Sequence, residues 1–187
     1  MGLCTREKGL FTTVDAIALA NRDRPGAFRL TVAGNFCSAQ EERLFHQRAK
    51  ELPEGSIRHV GFADRDSKHA LFTAADVFCF PTFYPHESQP LTLIEALAHD
   101  LPIATTRWRG IPSLMPAGSS HIRFVEPDRP SEIAAALLAA RHAPGPDGAL
   151  RRHFLAHYTP ERHLASLKAA LKAIEARHAS TSPAGRA

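Results

Sequence analysis

The sequence predicts an α/β fold, a parallel sheet covered by helices on both faces. Three observations predict it. Apolar runs of strand length alternate along the chain with stretches of helical period. Each strand-like run ends in turn chemistry. The chain has 187 residues, 44% hydrophobic and 22% charged, which suits one ordinary globular domain with a sizeable core rather than disorder or a fibrous repeat.

Taken in order, the strand-like runs are 28–33, 57–62, 76–80, 102–106 and 122–125, and the helix-like stretches are 9–21, 39–52, 67–75, 91–99 and 131–141. A βαβα series of this kind argues for parallel strands joined by crossover helices. The turns that follow the strands are Gly34-Asn35, Gly61-Phe62-Ala63-Asp64, Pro81-Thr82 and Trp108-Arg109-Gly110. In open α/β sheets ligands gather at those carboxyl ends. The opening Met1-Gly2-Leu3-Cys4 is short for a full core strand, so the first strand is expected to be truncated. Residues 1–142 are therefore expected to form one Rossmann-like domain, and 143–179 a linker (Pro144 to Gly148) with C-terminal helices packing back on it. The last helix, over 160–177, carries Leu164, Leu167, Leu171 and Ile174 at helical spacing, and 180–187 is expected to be a disordered tail.

Charge and composition narrow the partners. The 23 Lys and Arg exceed the 19 Asp and Glu by four, giving +4, and they are spread along the chain rather than massed, so nucleic acid is not expected. A phosphorylated small molecule or an anionic surface fits the same charge. Cys4, Cys37 and Cys79 have no CxxC spacing and fall where strands or buried turns are expected, which favours reduced thiols in a cytoplasmic protein. No apolar run approaches the roughly 18 residues of a membrane span, and no signal-peptide core is visible. The 11 histidines show no metal-ligand pattern, and no metal is expected.

The chemistry-bearing stretch is YPHESQPLTLIEALAHD, residues 84–100. Pro90 fits a first helical position, because its missing N–H would have no partner there. The N-terminus of the helix that follows carries unpaired N–H groups and partial positive charge, and Thr92 adds a hydroxyl, so a diphosphate suits it. Glu87 before the helix and Glu95 inside it can accept hydroxyl hydrogens on either side of such an anion. That arrangement describes a nucleotide sugar, with ribose on one side and hexose on the other. The spacing alone equally fits a solvated helix glutamate and a glutamate that favours a helix N-terminus. Asp64-Arg65-Asp66 reads as a helix cap rather than a metal motif.

An ordered set of motifs adds to this: Lys8-Gly9 in the first loop, HVGFADRDSKHALFTAADVFCFPTFYPHE (59–87), the Glu-x7-Glu stretch, EALAHDLPIATT (95–106) and Gly110-Ile111-Pro112. Through them residues 2–127 resemble the donor-binding C-terminal domain of the family 4 retaining glycosyltransferases, the glycosyl transferases group 1, which have the GT-B fold. The resemblance implies a Rossmann-like domain forming one half of a GT-B enzyme. It implies that Glu87 contacts the transferred sugar at the reacting centre, that Glu95 holds the ribose diol and that Lys8 neutralises the leaving diphosphate. Gln89, Pro90, Leu91 and Thr92 would surround phosphate and sugar, and Ala63 and Lys68 would border the base. Transfer with retention, no cofactor and no metal are implied, with a nucleotide diphosphate sugar as donor substrate.

The chain departs from the family pattern at Leu3, often arginine; at Pro90, often glycine; at Ser113, often acidic; and at Asp100, usually glycine. Arg6 is an alternative cation for the position of Leu3. A GT-B enzyme places its acceptor largely on an N-terminal domain, for which this chain has no room. Two readings stay open. In one it is the donor half of a polysaccharide or glycolipid glycosyltransferase, working with a separate N-terminal acceptor domain or chain and, through that partner, peripheral at the inner membrane face. In the other it is a non-catalytic nucleotide-sugar binding module or a truncated remnant. A nicotinamide-binding domain is disfavoured, since no G-x-G-x-x-G follows a strand.

Overall fold

A computed structural model describes residues 2–143 and 145–181. The strands are β1 (Leu30–Val32), β2 (Ile57–His59), β3 (Phe78–Phe80), β4 (Ile103–Thr106) and β5 (Ile122–Val125). The helices are α1 (Leu10–Ala20), α2 (Ala39–Lys50), α3 (Arg65–Thr73), α4 (Leu91–Ala98), α5 (Ile111–Leu114), α6 (Pro130–His142), α7 (Ala149–His157) and α8 (Pro160–Thr181), preceded by a 3-10 turn at Arg6–Lys8. All pairings are parallel: β1 with β2, β3 with β4, and β4 with β5. Every residue of β4 is buried, as a central parallel strand covered on both faces requires. The α/β, Rossmann-like expectation holds.

The sheet is not continuous. β1–β2 and β3–β4–β5 form separate ladders, because residues 2–8 run between them only at their C-terminal ends. On one side Gly2 N donates to Ala33 O at 3.3 Å and Cys4 N to Asn35 O at 2.8 Å; on the other Phe83 N donates to Glu7 O at 2.7 Å. The two halves are joined beneath by packing: Ala16, Ile17 and Ala20 of α1 share one cluster with Ala104, Val125 and Ile133, against which Leu30 and Val77 lie partly buried.

The second core cluster holds Phe72, Phe78, Leu93, Leu97, Ile103, Ile111 and Leu150. Leu150 belongs to α7, which falls within the C-terminal helices expected over 143–179, although helical spacing marks only the one at 160–177. Its start is set by a distant residue. Asp100, in the left-handed region at φ 57°, accepts from Gly148 N at 2.6 Å and from Arg151 N at 3.1 Å, capping α7 from just past the end of α4. A glycine at position 100 could adopt this conformation but could not supply the carboxylate that caps α7. Leu150→Ala, at a side chain with 0% exposure, is expected to lower stability by about 3 kcal/mol, read as an earlier urea midpoint.

α8 runs to Thr181, longer than expected; the remainder of the predicted tail, 182–187, lies outside the described residues. Leu164, Leu167, Leu171 and Ile174 on α8 are exposed rather than packed back on the domain. Among the described residues no helix is long and apolar enough to cross a membrane.

Candidate donor site

The loop that follows β3 carries Glu87 and is pinned from below. Thr82 is fully buried; its Oγ1 lies 3.2 Å from Glu87 Oε2 and accepts from Tyr84 N at 3.2 Å. Its carbonyl accepts from Thr106 Oγ1 at 2.5 Å, tying the loop to the end of β4. Trp108 Nε1 donates to Tyr84 O at 2.7 Å, and Glu87 N closes a turn on Tyr84 O at 3.0 Å. Gly110 packs so closely that a Cβ there would lie 2.9 Å from Ser88 O. These ties hold Glu87 at 8% exposure in a surface loop. The ties from Thr106, Trp108 and Gly110 are not visible in sequence spacing, because each joins this loop to residues of a later one.

Lys8 reaches this carboxylate from the 3-10 turn. Its Nζ donates to Glu87 Oε2 at 2.6 Å and stands 4.8 Å from the centroid of the Tyr84 ring and 5.5 Å from that of Phe80. The aromatic faces favour the cation further. The turn is terminated by Gly9 at φ 78°, which also begins α1.

α4 starts at Leu91, as the stretch 91–99 predicts. Pro90 is its N-cap, with ψ 109° in the extended region, and not its first helical residue. It contributes no side-chain cap, so the amides of Leu91 and Thr92 have no partner within the helix. Leu93 N is already taken by Pro90 O at 3.0 Å. Gln89 and Leu91 are exposed and Thr92 half-buried around this turn.

Glu95 lies one turn further on. Lys68 of α3 donates to its Oε1, while Oε2 is buried without a hydrogen-bond partner among the described residues. α3 is placed by Asp64, whose Oδ1 accepts from Ser67 N at 2.9 Å, so the Asp64-Arg65-Asp66 stretch is a cap as expected. Ala63 precedes that cap, half-buried. The structure therefore gathers the expected residues into two lysine–glutamate pairs, Lys8–Glu87 and Lys68–Glu95, with the open amides of α4 between the two glutamates in the chain. The Lys68–Glu95 pairing is not among the sequence expectations, because it joins two helices 27 residues apart in the chain.

Other residues go elsewhere. Arg6 pairs with Asp128 at 3.8 Å on the surface, and the exposed His86 sits edge-on to Tyr84 at 5.6 Å. Leu3 is exposed. Cys37, expected in a buried turn, is exposed, because the loop after β1 turns it outward to donate its S–H to Glu41 at the first turn of α2. Burial pushes the Cys79 thiol up to about 12, which keeps it protonated and inert. Among the described residues no group of three or more His, Cys, Asp or Glu side chains is placed to hold a metal.

The profile of the family described as Glycosyl transferases group 1 matches residues 1–142. The chain belongs to this glycosyltransferase family. Among its relatives, a protein of Salmonella typhimurium named as the colanic acid biosynthesis glycosyltransferase WcaL is 30% identical over 139 residues, covering 72% of this chain. The amylovoran biosynthesis glycosyltransferase AmsK of Erwinia amylovora is 26% identical over 138 residues, again 72% of this chain. The glycosyltransferase chain spans only 33% of the length of each of these relatives. Its fold is similar to that of the C-terminal domain of the group 1 glycosyltransferase LpcC from Francisella tularensis, with TM-score 0.67, 20% identity and coverage of 82% of this chain and 77% of that one. It is also similar to Anabaena HepE in complex with UDP and glucose, with TM-score 0.63, 18% identity and coverage of 97% and 48%. At these identities the solved structures show the fold, one half of the GT-B type.

Proposed function

We propose that the chain is the donor-binding half of a retaining glycosyltransferase that moves a sugar from a nucleotide diphosphate sugar to an acceptor in polysaccharide or glycolipid synthesis. The observation that carries this reading is the arrangement around α4: two open amides, with a carboxylate before them and another after them, each carboxylate held by a lysine. HepE, whose fold is shared, is seen with UDP and with UDP-glucose, which supports a nucleotide sugar as ligand.

Each group then has a task. The diphosphate lies at the amides of Leu91 and Thr92, where the helix dipole favours negative charge. Lys8 leaves Glu87, or shares with it, to meet the diphosphate; Glu87 is then free to accept hydroxyls of the transferred sugar. Glu95 accepts ribose hydroxyls. As the anomeric C–O bond breaks, its electron pair passes to the diphosphate, and a fixed cation and fixed amides oppose that charge without reorganising. Lys8 and the helix end supply this positive charge, so the reading requires no metal. Acceptor binding belongs to a further domain or chain, which in this reading also covers the exposed apolar row of α8 and brings the protein to the cytoplasmic face of the membrane.

A second reading, a nucleotide-sugar binding module without turnover, is favoured by Leu3 and Ser113, which stand where the family often has an arginine and an acid. Both readings need a working donor site. Calorimetric titration with UDP, GDP and their sugar conjugates tests it: saturable binding of one base series is expected, weakened at least about tenfold by Glu95→Ala through loss of hydrogen bonds to a charged acceptor. A folded chain that binds none of these ligands contradicts the proposal.

A further inference from the structure

Among the described residues three that are not glycine take positive φ: Asp100 at 57°, Arg109 at 50° and Asp128 at 55°. This backbone region is costly for a side chain, and aspartate tolerates it because its short carboxylate bonds locally. Both aspartates put the position to use. Asp100 caps α7, and Asp128 accepts from Thr12 Oγ1 at 2.8 Å and pairs with Arg6. Arg109 is different: its side chain is exposed and has no hydrogen-bond or ion-pair partner among the described residues. The strain stands beside the candidate site. Trp108 Nε1 donates to Tyr84 O at 2.7 Å, a Cβ on Gly110 would lie 2.9 Å from Ser88 O, and Ile111 N closes the turn on Trp108 O at 3.0 Å. Arg109 is therefore held between two contacts with the loop that carries Glu87. The turn favours glycine at 109 for its φ and at 110 for the close approach, and the chain has it only at 110. A residue kept in a strained conformation at the rim of a site points to a use for its side chain.

The chemistry of that side chain says what it meets. A guanidinium stays charged, offers only donors and matches a planar carboxylate through paired hydrogen bonds. The inference rests on the donor reading, in which Lys8 and the amides of Leu91 and Thr92 take the diphosphate and Glu87 takes hydroxyls of the transferred sugar. The 108–110 turn touches Tyr84 and Ser88, on either side of Glu87, and so lies on the sugar's side of that arrangement. We propose that Arg109 is a specificity residue that binds a carboxylate on the transferred sugar, which makes the donor a nucleotide-linked uronic acid. Glu87 cannot make this selection, since it accepts hydroxyl hydrogens from acidic and neutral sugars alike. An acidic sugar also brings a further negative charge beside Glu87 and the diphosphate, and a second cation offsets it.

The test uses the full chain, titrated calorimetrically with UDP, UDP-glucose and UDP-glucuronate, and with GDP, GDP-mannose and GDP-mannuronate. In the base series that binds, the uronate conjugate is expected to bind about tenfold more tightly than the neutral one. Arg109→Gly is expected to remove this preference and to leave the bare nucleotide's affinity unchanged. Arg109→Lys, which keeps the charge without the fork, is expected to retain part of it. Glycine suits φ 50°, so the urea midpoint of Arg109→Gly is expected at or above that of the wild type. A wild-type chain that binds uronate and neutral conjugates equally overturns the inference and leaves the donor reading standing. Equal weakening of bare nucleotide and both conjugates by Arg109→Gly also overturns it, since the arginine then serves the diphosphate. A clearly lower urea midpoint in Arg109→Gly marks a structural arginine and overturns it as well. A wild-type chain that binds neither series overturns the donor reading, and this inference with it.

Discussion

Lys8→Met is expected to lower stability by about 2 to 3 kcal/mol and to weaken nucleotide diphosphate binding roughly ten- to hundredfold. The two losses have different causes. Glu87 is almost wholly enclosed, and without Lys8 its carboxylate keeps, among the described residues, only the Thr82 hydroxyl as a side-chain partner. An uncompensated buried charge costs more than the pair itself contributes, and the figure is set below the fully buried range because the Lys8 side chain is 25% exposed. Binding falls separately, because the cation that meets the diphosphate is gone. A second substitution tells them apart. In Lys8→Met with Glu87→Gln the buried group is neutral, so urea unfolding should recover much of the stability while calorimetry shows affinity still low. A Lys8→Met chain with the wild-type urea midpoint would show that the pair does not hold the loop.

Gly9→Ala is expected to be comparably damaging although it adds only a methyl group. Gly9 sits at φ 78°, and a Cβ there would lie 2.5 Å from Pro81 O and 2.9 Å from Pro81 C, both backbone atoms that cannot swing aside. Left-handed strain and the forced separation together are expected to lower stability by about 3 kcal/mol. The separation also pulls the Arg6–Lys8 turn away from the loop that carries Glu87. Nucleotide binding is therefore expected to fall with stability, and thermal unfolding with and without UDP reads both. A Gly9→Ala chain as stable as the wild type would mean that the turn and the loop move independently.

These residues show where the sequence was legible and where it was not. β4 and β5 stood out because period and turn chemistry agree locally; 122–125 matches β5 residue for residue. Lys8, Glu87, Lys68 and Glu95 were named from motif and chemistry, and the structure brings them together in pairs. What stayed hidden is tertiary. The start of α7 depends on Asp100, 48 residues before Gly148, so the segment that follows the linker, with Leu150, Phe154 and Leu155 as its large apolar residues, carries no local start signal. Pro90 looked like a first helical residue because its missing N–H suits that position. The extended ψ that makes it a cap is fixed by the loop, and the loop by Thr82 and Trp108. The break between the two ladders is of the same kind, since a strand's reach is decided by its neighbours rather than its composition.

The central claim is that the start of α4 receives the diphosphate of a nucleotide sugar. The most direct measurement is the set of backbone amide chemical shifts of the nitrogen-15-labelled chain during titration with UDP-glucose and GDP-mannose. The account predicts saturable shifts, with one of the two ligands, that are largest at Leu91 and Thr92 and extend to Lys8, Glu87 and Glu95. Saturable binding that moves other residues and leaves the Leu91 and Thr92 amides where they were would contradict it.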